Sequence, residues 1–390
     1  MPLAHCADVY GETFVGSESG KGERNVGGGP PMKVALLAPS KSIHTHKWAR
    51  FYQTQGIDVK VVTFKDHYGP EQAKEVETVV LPKWLPGKLS YFSTVFSLKR
   101  LLASFQPDIL HAHYASSYGL IGALASYHPF YVSVWGRDVY QFPNANRWNR
   151  RMLEYTFQRA DVICSTSHVM AKETGKYTDK PIEVTPFGVD VARFKPLPKQ
   201  PKRTVTIGTV KALSDKYGIA DLIRAFAIVH ERHPQTELLI VGDGPQRSEY
   251  EELCARLGIQ SVTTFAGKVP NEQVPLYINQ MDIFAVPSTE DSESFGVAAV
   301  EAMACGVPVV VSNVGGLPEV VREGTTGLIV PKNSPEKLAE AFERLLLDER
   351  LRQRMGENGV NHVHEHYDWT ENAMRMIRLY EQTLKGGGGS

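Results

Sequence analysis

Two successive series of short apolar runs, each run followed by a helical pattern, constrain this chain more than any other feature. The first series reads KVALLAP from Lys33, DVKVVTF from Asp58, ETVVLP from Glu77, PDILHAHY from Pro107, FYVSVWG from Phe130, ADVICSTS from Ala160 and IEVTPF from Ile182. Several of these runs are apolar on both faces, as strands of a parallel sheet covered by helices must be. The stretch PFGVDVARFKPLPKQPKR then breaks the pattern with prolines, charges and no sustained period. The alternation restarts with TVTIGTV from Thr204, TELLIVGDG from Thr236, SVTTFAG from Ser261, MDIFAVPS from Met281, VPVVVSN from Val307 and GLIVP from Gly327. Two strand–helix series of similar size predict an α/β chain of two doubly wound, Rossmann-like domains facing across a cleft. The expected boundaries are 32–186 for the first domain, 187–203 for the linker and 204–366 for the second. Residues 367–384 read as a closing helix with apolar Ala373, Met376, Ile377 and Tyr380.

The ends look foreign to this pattern. Residues 1–31 are rich in glycine and polar residues, and read as a disordered or added extension, with Met32 at or near the natural start. Residues 385–390, KGGGGS, read as an added linker. GSESGKGE, from Gly16, resembles a phosphate loop only superficially: its spacing is wrong and no Ser or Thr follows Lys21.

Composition excludes several function classes. Lys and Arg total 43, as do Asp and Glu, so the formal net charge is zero and a global electrostatic grip on nucleic acid is not expected. Cys6, Cys164, Cys254 and Cys305 form neither a CxxC pair nor a Cys/His cluster, which suits reduced thiols in a cytoplasmic protein. No cofactor and no metal are expected. No apolar stretch approaches the ~20 residues that span a bilayer.

In open parallel sheets, ligands bind beyond the carboxyl ends of the strands, so the chemistry belongs in the loops after these runs. After MDIFAVPS comes TEDSESFGVAAVEAMACG, which carries Glu293 before an expected helix start and Glu301 inside the helix. At ~1.5 Å rise per residue the two lie roughly 10–12 Å apart, too far to share a proton. The span suits a ligand with a sugar at one end and a ribose at the other. The amides of Phe295 and Gly296, at the helix start, favour anions. Against this stands the reading of an acidic helix start and an amphipathic glutamate. In GTVKALSDKYG, Lys211 and Lys216 could reach a diphosphate, or be two solvated lysines. The glycine-rich turn VGDGPQ contains Gly242, and SNVGGLPEVV places Gly315 and Gly316 before a further helix. Together these loops describe a pocket for a phosphorylated, hydroxyl-rich ligand.

ESFGVAAVEAMACGVPVV, GGLPEVV, LLIVGDGP and GLIVP resemble the retaining glycosyltransferases of family four, which have the two-domain GT-B fold. The resemblance covers nearly all of residues 32–384 and is most specific in the second half. It implies a nucleotide-sugar donor, UDP-linked, held by Glu293, Ser294, Phe295, Gly296, Glu301, Lys211, Lys216 and Gly242, with residues 204–366 as the donor domain and 32–186 on the acceptor side. Glu293 would contact donor-sugar hydroxyls, Glu301 the ribose, and Lys211 with Lys216 the diphosphate. Lys211 stands where the family has arginine, which keeps the charge and loses the bidentate fork. The first half departs more. PSKSIHTHKW lacks the family's glycine-rich loop, so Ser42, His44, Thr45 or His46 would contact the ligand instead. In SVWGRDVY, Trp135 occupies the position of the family's histidine, while Gly136 and Asp138 match. The acceptor-side candidates are therefore His44, His46, His113, Trp135 and Asp138, with Asp138 also a catalytic candidate beside Glu293, Lys211 and Lys216. His111 and His113 are expected just after the fourth strand, or else to serve as structural hydrogen-bonding groups.

The resemblance implies a retaining, metal-independent hexosyl transfer to a carbohydrate or lipid-linked hydroxyl acceptor, in polysaccharide or glycolipid synthesis. The alternatives are an epimerase or hydrolase of the same fold, or a catalytically silent binding protein. A nicotinamide oxidoreductase is disfavoured by the lack of a GxGxxG with an acidic residue on the next strand. Residues 84–105 combine Trp84 and Phe92 with Lys88, Lys99 and Arg100. They read either as a peripheral contact with the inner face of the membrane or as a helix packed on the sheet. Glu293 and Glu301 are expected at a cleft rather than in a core.

Overall fold

The computed structural model describes residues 10–11, 30–82, 90–198 and 202–386. The described chain forms two compact units, one built on Pro186–Asn372 with residues 10–11, and one on residues 30–185 together with those from Ala373 onward. All the expected runs become strands. The first unit in chain order holds a seven-stranded sheet, all parallel. Across it lie Thr78–Leu81, Asp58–Phe64, Lys33–Leu37, Ile109–His113, Phe130–Val134, Val162–Ser165 and Ile182–Val184. The other unit holds six parallel strands in the order Thr263–Gly267, Thr236–Val241, Val205–Val210, Ile283–Val286, Val309–Ser312 and Gly327–Val330. The central strands Ile109–His113, Phe130–Val134, Ile283–Val286 and Val309–Ser312 are buried at every position, which is why they read as unbroken apolar runs rather than as alternation.

Helices between the strands supply the covering layers. In Ile219–Arg232 the apolar Ile219, Leu222, Ile223, Phe226 and Val229 recur at helical spacing and are buried against the second sheet's core. In Ser90–Phe105, Leu98, Leu102 and Phe105 are buried in the first core, while Phe96 is 64% exposed. The part of the 84–105 stretch before Ser90 lies outside the described residues. The buried face favours packing on the sheet over a surface role for this helix. Among the described residues no helix is long and apolar enough to cross a membrane.

The expected closing helix runs over Trp369–Gly386, past Leu384 and into the stretch read as an added linker. Ala373, Met376, Ile377 and Tyr380 are buried as their spacing predicts. This helix is not a separate element appended to the second domain: from Ala373 onward it belongs to the unit of the first sheet. Tyr380 reaches the Tyr52 hydroxyl at 2.9 Å and His111 Nδ1 at 2.5 Å, and Tyr131 donates to the Leu379 carbonyl at 3.0 Å. The stretch 187–203 is likewise more than a spacer. Val189 bridges Asp368, and the Val189 amide donates to the Tyr367 carbonyl at 2.9 Å. Gly188 lies so close to Trp369 that a Cβ would meet its Cα at 2.6 Å. Of residues 1–31, only 10–11 and 30–31 are described, and Tyr10–Gly11 pairs with Val269–Pro270. Cys164, Cys254 and Cys305 are buried.

Candidate active site

The loops that follow the strands of the six-stranded sheet converge on one carboxylate. Glu293 is separated from Lys211 by 82 residues, yet Lys211 Nζ lies 2.9 Å from Glu293 Oε2, with both side chains about nine-tenths buried. Ser288, just past the strand Ile283–Val286, donates to the same oxygen at 3.2 Å. Burial alone would push the Glu293 pKa up. The Lys211 charge and hydrogen bond, the Lys216 charge and the Ser288 hydroxyl together outweigh it and hold the carboxyl below the ordinary range. Glu293 is therefore an anion at neutral pH, matched to a cation in a dry setting where charge interactions are strong.

Glycines allow the loops to approach this closely. Gly242 has φ +136° and its amide donates to the Gly267 carbonyl at 2.9 Å; a Cβ there would sit 1.9 Å from the Lys211 carbonyl oxygen. Gly315, at φ +51°, presses on the Glu293 carbonyl in the same way, and the Gly316 amide donates to that carbonyl at 2.9 Å. Only glycine accepts both the conformation and the contact. Ser294 is half-buried, and Phe295 is 3% exposed with its ring edge-to-face on Phe187 at 6.0 Å and Tyr367 at 5.5 Å. Gly296 caps the helix Val297–Ala304 in a left-handed conformation, so the amides of the helix's first turn lie beside the loop carrying Glu293. Glu301 lies inside that helix. It is 5% exposed and Glu293 is 8% exposed, so the protein largely encloses both side chains.

Lys216 follows in the turn Asp215–Tyr217, half-buried, and its carbonyl accepts from the Thr289 amide at 2.9 Å. Its ammonium lies 5.2 Å from the Tyr217 ring and that of Lys211 lies 4.7 Å from the same ring. Tyr217 thus sits between the two lysines as a neutral π surface for both. The structure accordingly brings together Glu293, Lys211, Lys216, Ser294, Phe295, Gly296 and Gly242 in adjacent strand-end loops. Ser288, Tyr217, Phe187 and Tyr367 went unnoticed in the sequence, where no spacing marks them.

The acceptor-side candidates lie at the strand ends of the other sheet. His113 is the last residue of the strand Ile109–His113, and His111 lies inside it; both are buried, which corrects their placement in the loop after it. His111 donates to, or accepts from, Tyr380 and Ser133, the latter at 2.8 Å, so it serves as a hydrogen-bonding group inside the core. Burial pushes its pKa down to about 3, and burial with the neighbouring His111 and His44 holds His113 well below the usual value. Both imidazoles are neutral at physiological pH. Trp135 packs at a tilt against His113 with ring centroids 4.4 Å apart, with Tyr114 at 5.0 Å and His44 at 6.0 Å. His46 Nε2 lies 3.4 Å from the Glu75 carboxylate.

Asp138 is buried, and both its oxygens are committed. Oδ2 accepts from the Ala115 amide at 2.9 Å, and Oδ1 accepts from Trp135 at 3.1 Å and Gly136 at 2.9 Å. Burial pushes its pKa up while these amides oppose the shift, leaving it above the ordinary value. Asp138 pins two strand-end loops together beneath Trp135, which is a holding role. Among the described residues no group of His, Cys, Asp and Glu is placed to hold a metal ion.

Residues 191–362 match the family model for glycosyl transferases group 1, and residues 33–167 match that for glycosyl transferase 4-like proteins. The chain is 38% identical over 224 residues to the D-inositol 3-phosphate glycosyltransferase of Corynebacterium jeikeium, covering 53% of each. It is 34% identical over 319 residues to the same-named enzyme of Corynebacterium efficiens, covering 70% of this chain and 71% of that one. The chain spans about half the length of the first curated relatives it matches. Among solved structures, sucrose-phosphate synthase from Thermosynechococcus elongatus superposes with a TM-score of 0.78 at 24% identity, over 91% of this chain and 100% of that one. Anabaena HepE in complex with UDP gives 0.77 at 18%, over 90% and 100%. These structures share the fold.

Proposed function

The chain belongs to the group 1 glycosyltransferases of the GT-B fold, and on that premise we propose that it is a retaining hexosyltransferase using a UDP-linked sugar. The observation that carries this reading is the buried Lys211–Glu293 pair at the ends of two parallel strands, with Lys216 and the Gly296-capped helix beside it. A sugar leaving a diphosphate builds negative charge on the phosphate oxygen and positive charge at the anomeric carbon. Lys211, Lys216 and the first-turn amides are suited to the phosphate side. Glu293, kept anionic by its surroundings, is suited to the sugar side, accepting from donor hydroxyls near the cationic ring. One salt-bridged pair thereby spans the bond that breaks. The HepE complex with UDP supports a uridine donor in this fold.

The acceptor hydroxyl attacks from the face the diphosphate leaves, and the departing phosphate oxygen takes its proton. The lysines supply the charge stabilisation that a metal supplies elsewhere, so the transfer needs no metal. Glu301 holds the ribose. The neutral rings of Trp135 and His44, backed by the buried His113, are assigned to a carbohydrate or lipid-linked acceptor, and the enzyme is assigned to the cytoplasm. The test incubates the protein with UDP-, GDP- and ADP-hexoses, with and without candidate acceptors, and follows products by NMR. Glycoside formation with the donor's anomeric configuration supports the reading. Hydrolysis or epimerisation that ignores every acceptor would overturn it. A thermal-shift screen of the same donors narrows the choice first, because a ligand of the folded state raises its midpoint.

A further inference from the structure

Tyr367 commits three separate groups to three separate elements. Its ring packs edge-to-face on Phe295 at 5.5 Å. Its hydroxyl donates to the Glu319 carbonyl at 3.3 Å, in the turn Leu317–Val320 that follows Gly315 and Gly316. Its carbonyl accepts from the Val189 amide at 2.9 Å, and the Trp369 amide returns to the Val189 carbonyl at 3.0 Å. His362 reinforces the arrangement from the preceding helix, its ring 5.4 Å from Tyr367 and its Nε2 3.1 Å from the Val320 carbonyl. Phe187, two residues before Val189, also packs edge-to-face on Phe295 at 6.0 Å. The segment 187–189 and the segment around Tyr367 are thus zipped together, and each carries one aromatic ring onto Phe295.

Phe295 has no chemistry of its own, but its backbone neighbours do. Glu293 lies two residues before it, and Gly296, with the amides of the helix start, lies directly after. The Gly316 amide on the Glu293 carbonyl makes the second loop part of the same unit. Whatever fixes Phe295 and the Leu317–Val320 turn also fixes Glu293.

We propose that Tyr367, with Phe187, is a positioning residue for sugar transfer, setting the loop Glu293–Gly296 from the two segments that join the sheets. The inference rests on the assignment of that loop to the donor. Removing the ring lets the loop drift by a fraction of an ångström, which misplaces Glu293 and the amides where charge develops and leaves the other ligand groups in place. Burial pushes the Tyr367 pKa up, so the hydroxyl remains a neutral donor to Glu319.

The experiment compares Tyr367→Phe, Tyr367→Leu, Phe187→Leu and Glu293→Gln in the full chain. It measures steady-state donor kinetics, UDP affinity by calorimetry and thermal midpoint. Tyr367→Leu is expected to lower kcat by about 10- to 100-fold with UDP affinity within about threefold of wild type. Tyr367→Phe, which keeps the ring, is expected to restore most of that kcat. Phe187→Leu should lower kcat in the same sense and serves in place of Tyr367→Leu if that variant does not fold. A lowered midpoint with kcat unchanged in the leucine variants would make the contacts structural only and overturn the proposal. If Glu293→Gln loses turnover while both leucine variants keep it, this inference fails alone. If Glu293→Gln also keeps full turnover, the donor assignment fails and takes the inference with it.

Discussion

The two sheets have the same parallel construction but present opposite chemistry at their strand ends. The six-stranded sheet ends in charge: Lys211, Lys216 and Glu293, with a helix start beside them. Two strand ends of the seven-stranded sheet gather neutral rings instead: Trp135 tilted against His113, with His44 and Tyr114 around them. Among the described residues the buried carboxylate there, Asp138, is spent on three backbone amides. One scaffold therefore supplies two environments. The first suits a reacting group whose charge changes during the step, and the second suits a partner recognised by shape and apolar ring faces.

The largest expected effect breaks the charged side. Glu293→Gln keeps the shape but not the anion, and should lower turnover by about 100- to 1000-fold. Affinity for free UDP should hold nearly unchanged, and equal loss of both would assign Glu293 to the nucleotide instead. Because the pair with Lys211 is buried, this variant should also lose ~1–3 kcal/mol of stability, read by urea unfolding. Next come the lysines. Lys211→Ala and Lys216→Ala should each weaken donor use by about 10- to 100-fold, from the ~1.5–3 kcal/mol of a charged hydrogen bond. Wild-type donor kinetics in both would remove them from the site.

On the neutral side the effects should be smaller and of another kind. Trp135→Ala should raise the acceptor KM by about 3- to 10-fold, the order of a lost ring contact, with the donor KM unchanged. A matching rise in the donor KM would erase the division of labour between the sheets.

Acid sharpens the contrast further. The native pKa of Glu293 is held below its unfolded value, so the stability it contributes is fully present above about pH 4.3 and is lost as pH falls through the lowered native value. Wild type and Glu293→Gln should therefore differ in unfolding free energy at neutral pH and converge in strong acid. The smallest expected effect is none: activity should survive EDTA, and loss restored by magnesium or manganese would transfer the lysines' role to a metal.

Much of this was legible in the chain itself. Runs such as KVALLAP and MDIFAVPS became strands because burial on both faces demands continuous apolar sequence, and that demand acts residue by residue. The periodic Ala373, Met376, Ile377 and Tyr380 face a core for the same local reason. The motif around Glu293 could be placed between a strand and a helix, and Lys211 at the end of another strand, because both positions follow from element boundaries.

Contacts across the chain were another matter. Which sheet Tyr380 joins depends on where the helix crosses, and its bond to His111 spans 269 residues. The imidazole had looked like a loop group, but a sheet's central strand leaves no route to solvent. Asp138 could not be told from a catalytic acid until Ala115, far away in sequence, supplied its third amide.

The sequence by itself determined the two sheets, their strand ends and the charged residues placed there, since periodicity and burial are local properties of the chain. Only the tertiary structure decided that Glu293 and Lys211 form one buried pair, that Asp138 is a clamp and that Tyr367 meets Phe295. Pairing energies depend on distance and desolvation, and both exist only once the strands have taken their order.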